Sequence, residues 1–375
     1  MSLESLLSLY AILGAPPMLP EIQSADSEPR FRRWGRLLLK VGVSAVALYF
    51  TWRLLAGMDW NELSRRLAQA SWWWLSPAVA CLLARWMAWD GRFRLAARRG
   101  AQIAPTAMLG FFVLLASAAL NLITPSARLI GGLMRARYFS RSTSRSFGLL
   151  YGVVLFDQVA HHTVMIAATC VAVVATALAA GRVGLAAGAF AVLGAAAIAL
   201  TVWTRRRGPR EQNPLVRFLA RRAEEAEGRM QRFYAHSHEA VGVFVRLLGD
   251  GPLLGQAALL GIAYVVLNAG AQWLIFRALD LPVSGLVVFA GVSLGVAAGT
   301  MTGTPGGLGT TEAAMVASFA LMGVGRVEAA AATLLYRGLH YATVLLVGLP
   351  ALACLEMRLR PAPPLQAAPE LVPED

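Results

Sequence analysis

Apolar blocks of about twenty residues recur along this chain, and a block of that length crosses a bilayer as one helix. The blocks consist of Leu, Val, Ala and Gly with almost no charge, whereas a soluble core would break them into shorter amphipathic faces. Only 15% of the 375 residues are charged, against about a quarter in soluble domains. The expected fold class is therefore all-α: a polytopic membrane protein with crossings at 37–57, 72–90, 147–178, 182–203, 252–278 and 328–355. Two further apolar regions, 105–141 and 282–323, are each interrupted by a Pro/Gly break. Residues 1–29 carry Glu4 and no basic n-region, so they read as an N-terminal extension instead of a signal peptide. Residues 357–375 form a Pro-rich tail.

The formal net charge is +13, but its distribution does not suggest nucleic acid. Arginines cluster between apolar blocks, as in the loops of membrane proteins, and no RNP, zinc or helix-turn-helix signature is present. Basic residues concentrate before the first crossing, at Arg92, Arg94, Arg98 and Arg99, in 204–246 with its ten arginines, and at Arg358 and Arg360. The other loops pair Arg65, Arg66, Arg182 and Arg326 with Asp59, Glu62, Asp280 and Glu328. This bias predicts a cytoplasmic (inner) membrane protein with both termini cytoplasmic. The segment 204–251 reads as a cytoplasmic amphipathic helix or helix pair, and Trp72, Trp73 and Trp74 as an interfacial anchor.

That orientation has a consequence. If 105–124 crossed fully, Arg135, Arg137, Arg141 and Arg145 would lie outside. They fit better if 105–141 is a hairpin that dips in from the cytoplasm and returns. By the same count 282–323 is a hairpin from the external side. The expected architecture is six crossings plus two re-entrant hairpins, about eight membrane segments. Thr124-Pro125 and Thr304-Pro305 are offset by 180 positions, as are Asp157 and Arg337. The chain thus divides into a first repeat, 30–180, and a second, 181–356, of inverted topology. Transporters use such repeats, with the substrate near the midplane where broken helices meet.

Pro305, Gly306 and Gly307 cannot continue a helix, and free backbone in hydrocarbon survives only beside protein or a watery cavity. A new helix should begin at Thr310 or Thr311, both suitable N-caps, with its positive end toward the site. Glu312 in its first turn either complements the dipole or serves as a carboxylate at a substrate or proton site. Arg128 lies near the tip of the first hairpin, where it would hold a lipid phosphate or snorkel to the surface. Arg135, Arg137 and Arg141 read as topology determinants or contacts to anionic headgroups. Asp157 and Arg337 are the clearest charges inside crossings; they contact substrate, pair with each other or find other partners. His161 and His340 accompany them at helical spacing and are either interior histidines or candidates for proton coupling.

Pro305-Gly-Gly-Leu-Gly-Thr-Thr-Glu312-Ala-Ala, followed by Ala331-Ala-Thr-Leu-Leu-Tyr336-Arg337, resembles the transmembrane domain of lysylphosphatidylglycerol synthases, a family with stand-alone flippase-like members. The similarity covers roughly 35–355 and is most specific in 303–340. Gly131-Gly132 and Phe156-Asp157 depart from the family pattern, which has an acidic residue after the glycine and Glu-Arg at these places. The synthases carry a separate soluble domain for aminoacyl transfer, for which this sequence leaves no room, so the resemblance implies translocation without enzymatic chemistry. The expected function is to move a phospholipid or related lipid across the membrane. A membrane-embedded transferase or a carrier for a small solute or ion are the alternatives. Membrane lipids are the expected partners, a homo-oligomer is left open, and no cofactor, metal or catalytic residue is expected. No Walker-type loop is present. The substrate-binding candidates are Arg128, Asp157, Pro305, Gly306, Gly307, Thr311, Glu312, Tyr336 and Arg337.

Overall fold

The computed structural model describes residues 59–123, 129–179, 213–302 and 304–359, with isolated positions between 181 and 191. The expected crossings 37–57 and 182–203 lie outside the described residues, as do Thr124, Pro125 and Arg128. All regular structure among the described residues is helical. A short helix α1 (Trp60–Ala68) precedes α2 (Trp72–Ala101), α3 (Ala107–Ile123), α4 (Leu129–Thr143) and α5 (Phe147–Ala179). Then come α6 (Pro214–Glu225), α7 (Gly228–Leu248), α8 (Gly251–Ala278) and α9 (Gly285–Thr302). A 3₁₀ turn (Pro305–Gly307) leads into α10 (Thr310–Leu321). Helix α11 (Arg326–Thr343) continues through a π turn (Val344–Gly348) into α12 (Leu349–Leu359).

Among the described residues, three helical stretches are long and apolar enough to cross a membrane: Phe147–Leu178, Gly251–Ala278 and Arg326–Met357. The chain is a multi-pass membrane protein. Helix α2 is longer than the crossing read from the sequence. It runs 30 residues, about 45 Å at 1.5 Å per residue, and absorbs the arginines assigned to a loop. Three of them find a carboxylate: Arg92 bonds Asp157, Arg94 bonds Asp90 and Arg99 bonds Asp250, each at 2.7 Å.

Helices α2 and α8 pack antiparallel. At one end the Ser71 amide donates to the Ala278 carbonyl (2.8 Å); at the other Arg99 bonds Asp250 (2.7 Å). The first end also holds Arg66, which bonds Glu62 and Glu328 (2.8 and 2.9 Å), tying α1 to the start of α11. The second end holds Arg246, which donates to the Gly100 carbonyl. So the described loops of the two sets separated by charge counting sit at opposite ends of the molecule. Trp72 and Trp73 project outward at the first end, 79% and 90% exposed.

Helices α3 and α4 fold back on each other, with the Gly131 amide bonded to the Asn121 side chain (2.9 Å). Helices α9 and α10 do the same. Gly291, Gly295 and Gly299 line one face of α9 at fourth-residue spacing, against Phe319, Met315 and Thr311. A Cβ on Gly299 would fall 1.8 Å from the Thr311 hydroxyl, so only glycine allows this approach. With 17 and 18 residues, α3 and α9 are roughly 25 Å long, short of the ~30 Å hydrocarbon core.

The segment 204–251 was expected to be an amphipathic connector. Its described part is a helix pair, and only α6 keeps to the surface. The α7 residues Val243, Leu247 and Leu248 are buried with Leu150 and Val153 of α5, so α7 belongs to the core. That core joins the second half of α2, α4, α5 and α7. Another joins α1, the first half of α2, α9, α10 and α11. Between them lies a polar layer, level with the middle of α2.

Candidate functional site

The polar layer surrounds a cavity of about 130 Å³, room for several waters. Helix α2 contributes Arg85, Trp86 and Trp89, α5 contributes His161 and His162, and α8 contributes Tyr264 and Asn268. The turn after α9 contributes Thr304, Gly306 and Gly307, and α11 contributes Tyr336, Arg337 and His340. Asn121 and Leu122, at the end of α3, complete the wall. The ends of both interrupted regions therefore reach one space. Leu122 contacts Gly306 directly: a Cβ there would lie 2.3 Å from its Cδ1.

The break after α9 is made by backbone that needs glycine. Gly306, Gly307 and Gly309 have φ of +57°, +70° and +79°. Gly309, not Thr310 or Thr311, is the residue preceding α10. Thr310 instead bonds the Gly307 carbonyl (3.3 Å) and the Thr304 hydroxyl (3.2 Å). Thr311 is buried against Gly299, holding α9 and α10 together, and is not part of the cavity wall. Pro305 opens the turn.

Glu312 and Arg337 form a buried ion pair at 2.6 Å. The Tyr341 hydroxyl donates to the same Glu312 oxygen (2.9 Å), and Arg337 also contacts that hydroxyl. Arg337 Nη2 donates to the Gly306 carbonyl (2.9 Å), satisfying an acceptor that the helix break leaves open. On the far side of this pair is a second cavity of about 320 Å³, lined by Leu308, Gly309, Val316, Ala330, Leu334 and Gly338 as well as Glu312, Thr333, Arg337 and Tyr341. Arg337 thus forms part of the wall of both the polar cavity and an apolar crevice.

Asp157 does not reach the cavity and does not meet Arg337. It is fully buried and accepts from Trp89 Nε1 (3.0 Å), Arg92 Nε (2.7 Å) and Arg135 Nη1 (3.0 Å). Arg135 is accordingly an interior residue, in contrast to the surface role expected for it. The two histidines do reach the cavity. His161 stacks on Trp89 with ring centroids 4.2 Å apart, and His340 stacks on Trp86 at 5.8 Å. His340 Nδ1 meets Arg85, and a guanidinium only donates, so this nitrogen is an acceptor.

Sequence reasoning missed Arg85. It is 2% exposed and bonds Asn268, Tyr336 (3.1 Å) and His340. The signal was present: Arg85 falls within Leu82-Leu-Ala-Arg-Trp-Met-Ala-Trp89, as deep in an apolar run as Arg337.

With that geometry in place, the chain was compared with known proteins. It matches the lysylphosphatidylglycerol synthase TM region over residues 37–348. The chain belongs to this family. The match takes in every described helix from α1 to the π turn, and with it all the cavity residues. No curated protein matches the chain. Membership in the lysylphosphatidylglycerol synthase TM family agrees with the resemblance carried by Pro305 to Arg337, and it makes this a membrane protein of lipid-related function.

Proposed function

We propose that this protein is a lipid translocator of the cytoplasmic membrane, moving a phospholipid or related amphipathic lipid between leaflets without chemical change to it. The observation that carries this reading is that one residue, Arg337, borders both a polar cavity and an apolar crevice. An amphipathic substrate needs both environments side by side: a wet, hydrogen-bonding path for its headgroup and an apolar one for its chains. A carrier for a small polar solute needs only the first.

In this reading α3–α4 and α9–α10 are re-entrant hairpins, the first entering from the cytoplasm and the second from outside. Their lengths support it, since neither α3 nor α9 spans the hydrocarbon. So do their ends. Gly100, just before α3, packs on Val153 of α5, and the turn from α10 into α11 sets Gly325 against Glu328 of the Arg66 bridge. The two halves are then an inverted repeat in which the end of α3 and the turn after α9 enclose the headgroup path, with both termini cytoplasmic. The pair Glu312–Arg337 is the gate between path and crevice, and Gly306, Gly307 and Tyr336 are path residues.

The test is reconstitution in liposomes carrying headgroup-labelled phosphatidylglycerol, with an impermeant quencher added outside. Wild-type protein should expose label from the inner leaflet, and Arg337→Ala should slow this at least tenfold while remaining inserted. Solute flux with no change in lipid accessibility would replace the reading with a carrier. Appearance of a modified lipid would replace it with a transferase.

A further inference from the structure

Four arginines are buried in the described interior: Arg85, Arg92, Arg135 and Arg337. Three have a carboxylate. Arg92 and Arg135 share Asp157, and Arg337 has Glu312. Arg85 has none within ion-pair distance among the described residues. Its hydrogen-bond partners are the Asn268 carbonyl oxygen, the Tyr336 hydroxyl and His340 Nδ1, all neutral acceptors. These take three of the five N–H donors of a guanidinium, and the buried Nε–H has no partner. The side chain sits midway along α2, in the wall of the polar cavity. A whole positive charge is thus held at the cavity wall with its orientation fixed and no anion to neutralise it, the ring faces of Trp86, Tyr264 and Tyr336 at 5.4–5.9 Å offsetting only part of it. Such a charge is expensive to bury and persists where a ligand completes it.

We propose that Arg85 is the anion-binding group of the central cavity, and that the group it binds is a phosphate. A guanidinium presents paired donors that match phosphate oxygens, and it cannot lose its proton to escape the cost of burial. Asn268, Tyr336 and His340 act as positioning residues. They accept from the guanidinium and fix it, which leaves Nε–H and one Nη2–H for a ligand. Trp86 and Trp89 give that cavity an aromatic wall that competes for neither donor. The phosphate is that of a phospholipid headgroup or a free phosphate ester. Its use in transport rests on the translocator reading; its binding does not.

The test is calorimetric titration of purified full-length protein with short-chain phosphatidylglycerol, with diacylglycerol of the same chains, and with inorganic phosphate. Wild type should bind the phosphatidylglycerol and not the diacylglycerol. Arg85→Gln should weaken that binding at least tenfold. Asn268→Asp should do the same while leaving Arg85 in place, because it supplies an internal carboxylate to the guanidinium. It should not lower the unfolding temperature, so it decides the matter even where Arg85→Gln fails to fold. Competition by millimolar inorganic phosphate assigns the site to a free phosphate ester, and absence of competition assigns it to the lipid headgroup. Wild-type affinity in Asn268→Asp, or equal binding of diacylglycerol, overturns the proposal. Lipid movement in liposomes is scored apart. Movement with an unaffected Asn268→Asp variant removes this site and keeps translocation; lost phosphate binding with no wild-type movement does the reverse.

Discussion

Asp157 and Arg337, 180 positions apart and opposite in charge, are each neutralised from the second helix of the helix pair that precedes them. Arg135 on α4 bonds Asp157, and Glu312 on α10 bonds Arg337. The pattern is kept while its signs are exchanged. A buried charge on the long helix after each hairpin therefore pins the hairpin to the bundle. The two pins differ in what surrounds them. Asp157 is enclosed by Trp89, Arg92 and Arg135, whereas Glu312 and Arg337 both border the apolar crevice.

Breaking the Glu312–Arg337 pair from one side leaves an unpaired buried charge. Glu312→Gln or Arg337→Met alone should cost about 3–5 kcal/mol of stability. The double variant should cost less than either single, because neither charge then remains. Thermal unfolding in detergent of the four proteins gives the coupling energy, and additive losses would show that the pair is not a unit. Translocation should fall in all three variants, including the double one.

Asp157→Asn should be the more damaging change. It leaves two guanidiniums, Arg92 and Arg135, buried without a carboxylate, so the loss should reach or exceed the upper end of the ~3–5 kcal/mol range. Arg135→Met should be milder, since Asp157 keeps Arg92 and Trp89. The ranking is read from yield of folded protein and unfolding temperature.

These charges also show what the sequence discloses and what it does not. Glu312 was legible because it follows a Pro/Gly break, and Arg337 because it is a charge inside an apolar crossing; both are local signals. Arg92 and Arg135 were read as loop charges because counting by position treats every arginine near an apolar boundary as solvated. Whether α2 stops at 90 or continues to Ala101 depends on Asp157, 65 positions further on, which removes the cost of burying Arg92. Thr311 was taken for a cap because threonine favours caps, but the left-handed Gly309 does that work and frees Thr311 to pack on Gly299. Arg85 escaped notice because its partners are neutral residues on α8 and α11, with no charge pattern along the chain to betray them.

The glycines of α9 separate close packing from mere helix composition. Gly299→Val should disrupt the α9–α10 contact and cost at least ~1–3 kcal/mol, since the Thr311 hydroxyl and Cβ occupy the space. Gly270→Ala in α8 meets nothing within 4 Å and should be neutral or stabilise by up to ~1 kcal/mol through helix propensity. Equal effects at the two positions would remove the close-approach argument.

Asp250 supplies a pH dependence at the basic end of the molecule. Burial raises its carboxyl and is the largest single influence, but hydrogen bonds from Arg99 and from the Leu253 amide, and the Arg99 charge, together outweigh it and hold the group below the usual carboxylate range. A depressed folded-state value means that its contribution is present above the unfolded value near ~3.9 and is lost as pH falls through the folded one. Asp250→Asn should therefore lower stability at neutral pH by under about 1 kcal/mol, the pair being partly exposed. The gap between wild type and variant should close toward pH 3 in paired unfolding curves. A gap that widens on acidification would contradict the sign.

The hairpin topology makes the most demanding prediction, because each hairpin must begin and end on one side. After replacement of Cys81, Cys170 and Cys354, single cysteines at 103 and 144 should both label with an impermeant maleimide from the cytoplasmic face. Cysteines at 282 and 324 should both label from the external face. Positions 122 and 304, in the cavity wall, should react only as far as the cavity admits reagent, and labelled lipid should protect them. If 103 and 144 emerged on opposite sides, α3 would be an ordinary crossing that ends in bulk water. The charged layer around Arg85 and Arg337 would then have no reason to be a headgroup path, since Leu122 at the end of α3 would no longer meet Gly306 within the membrane.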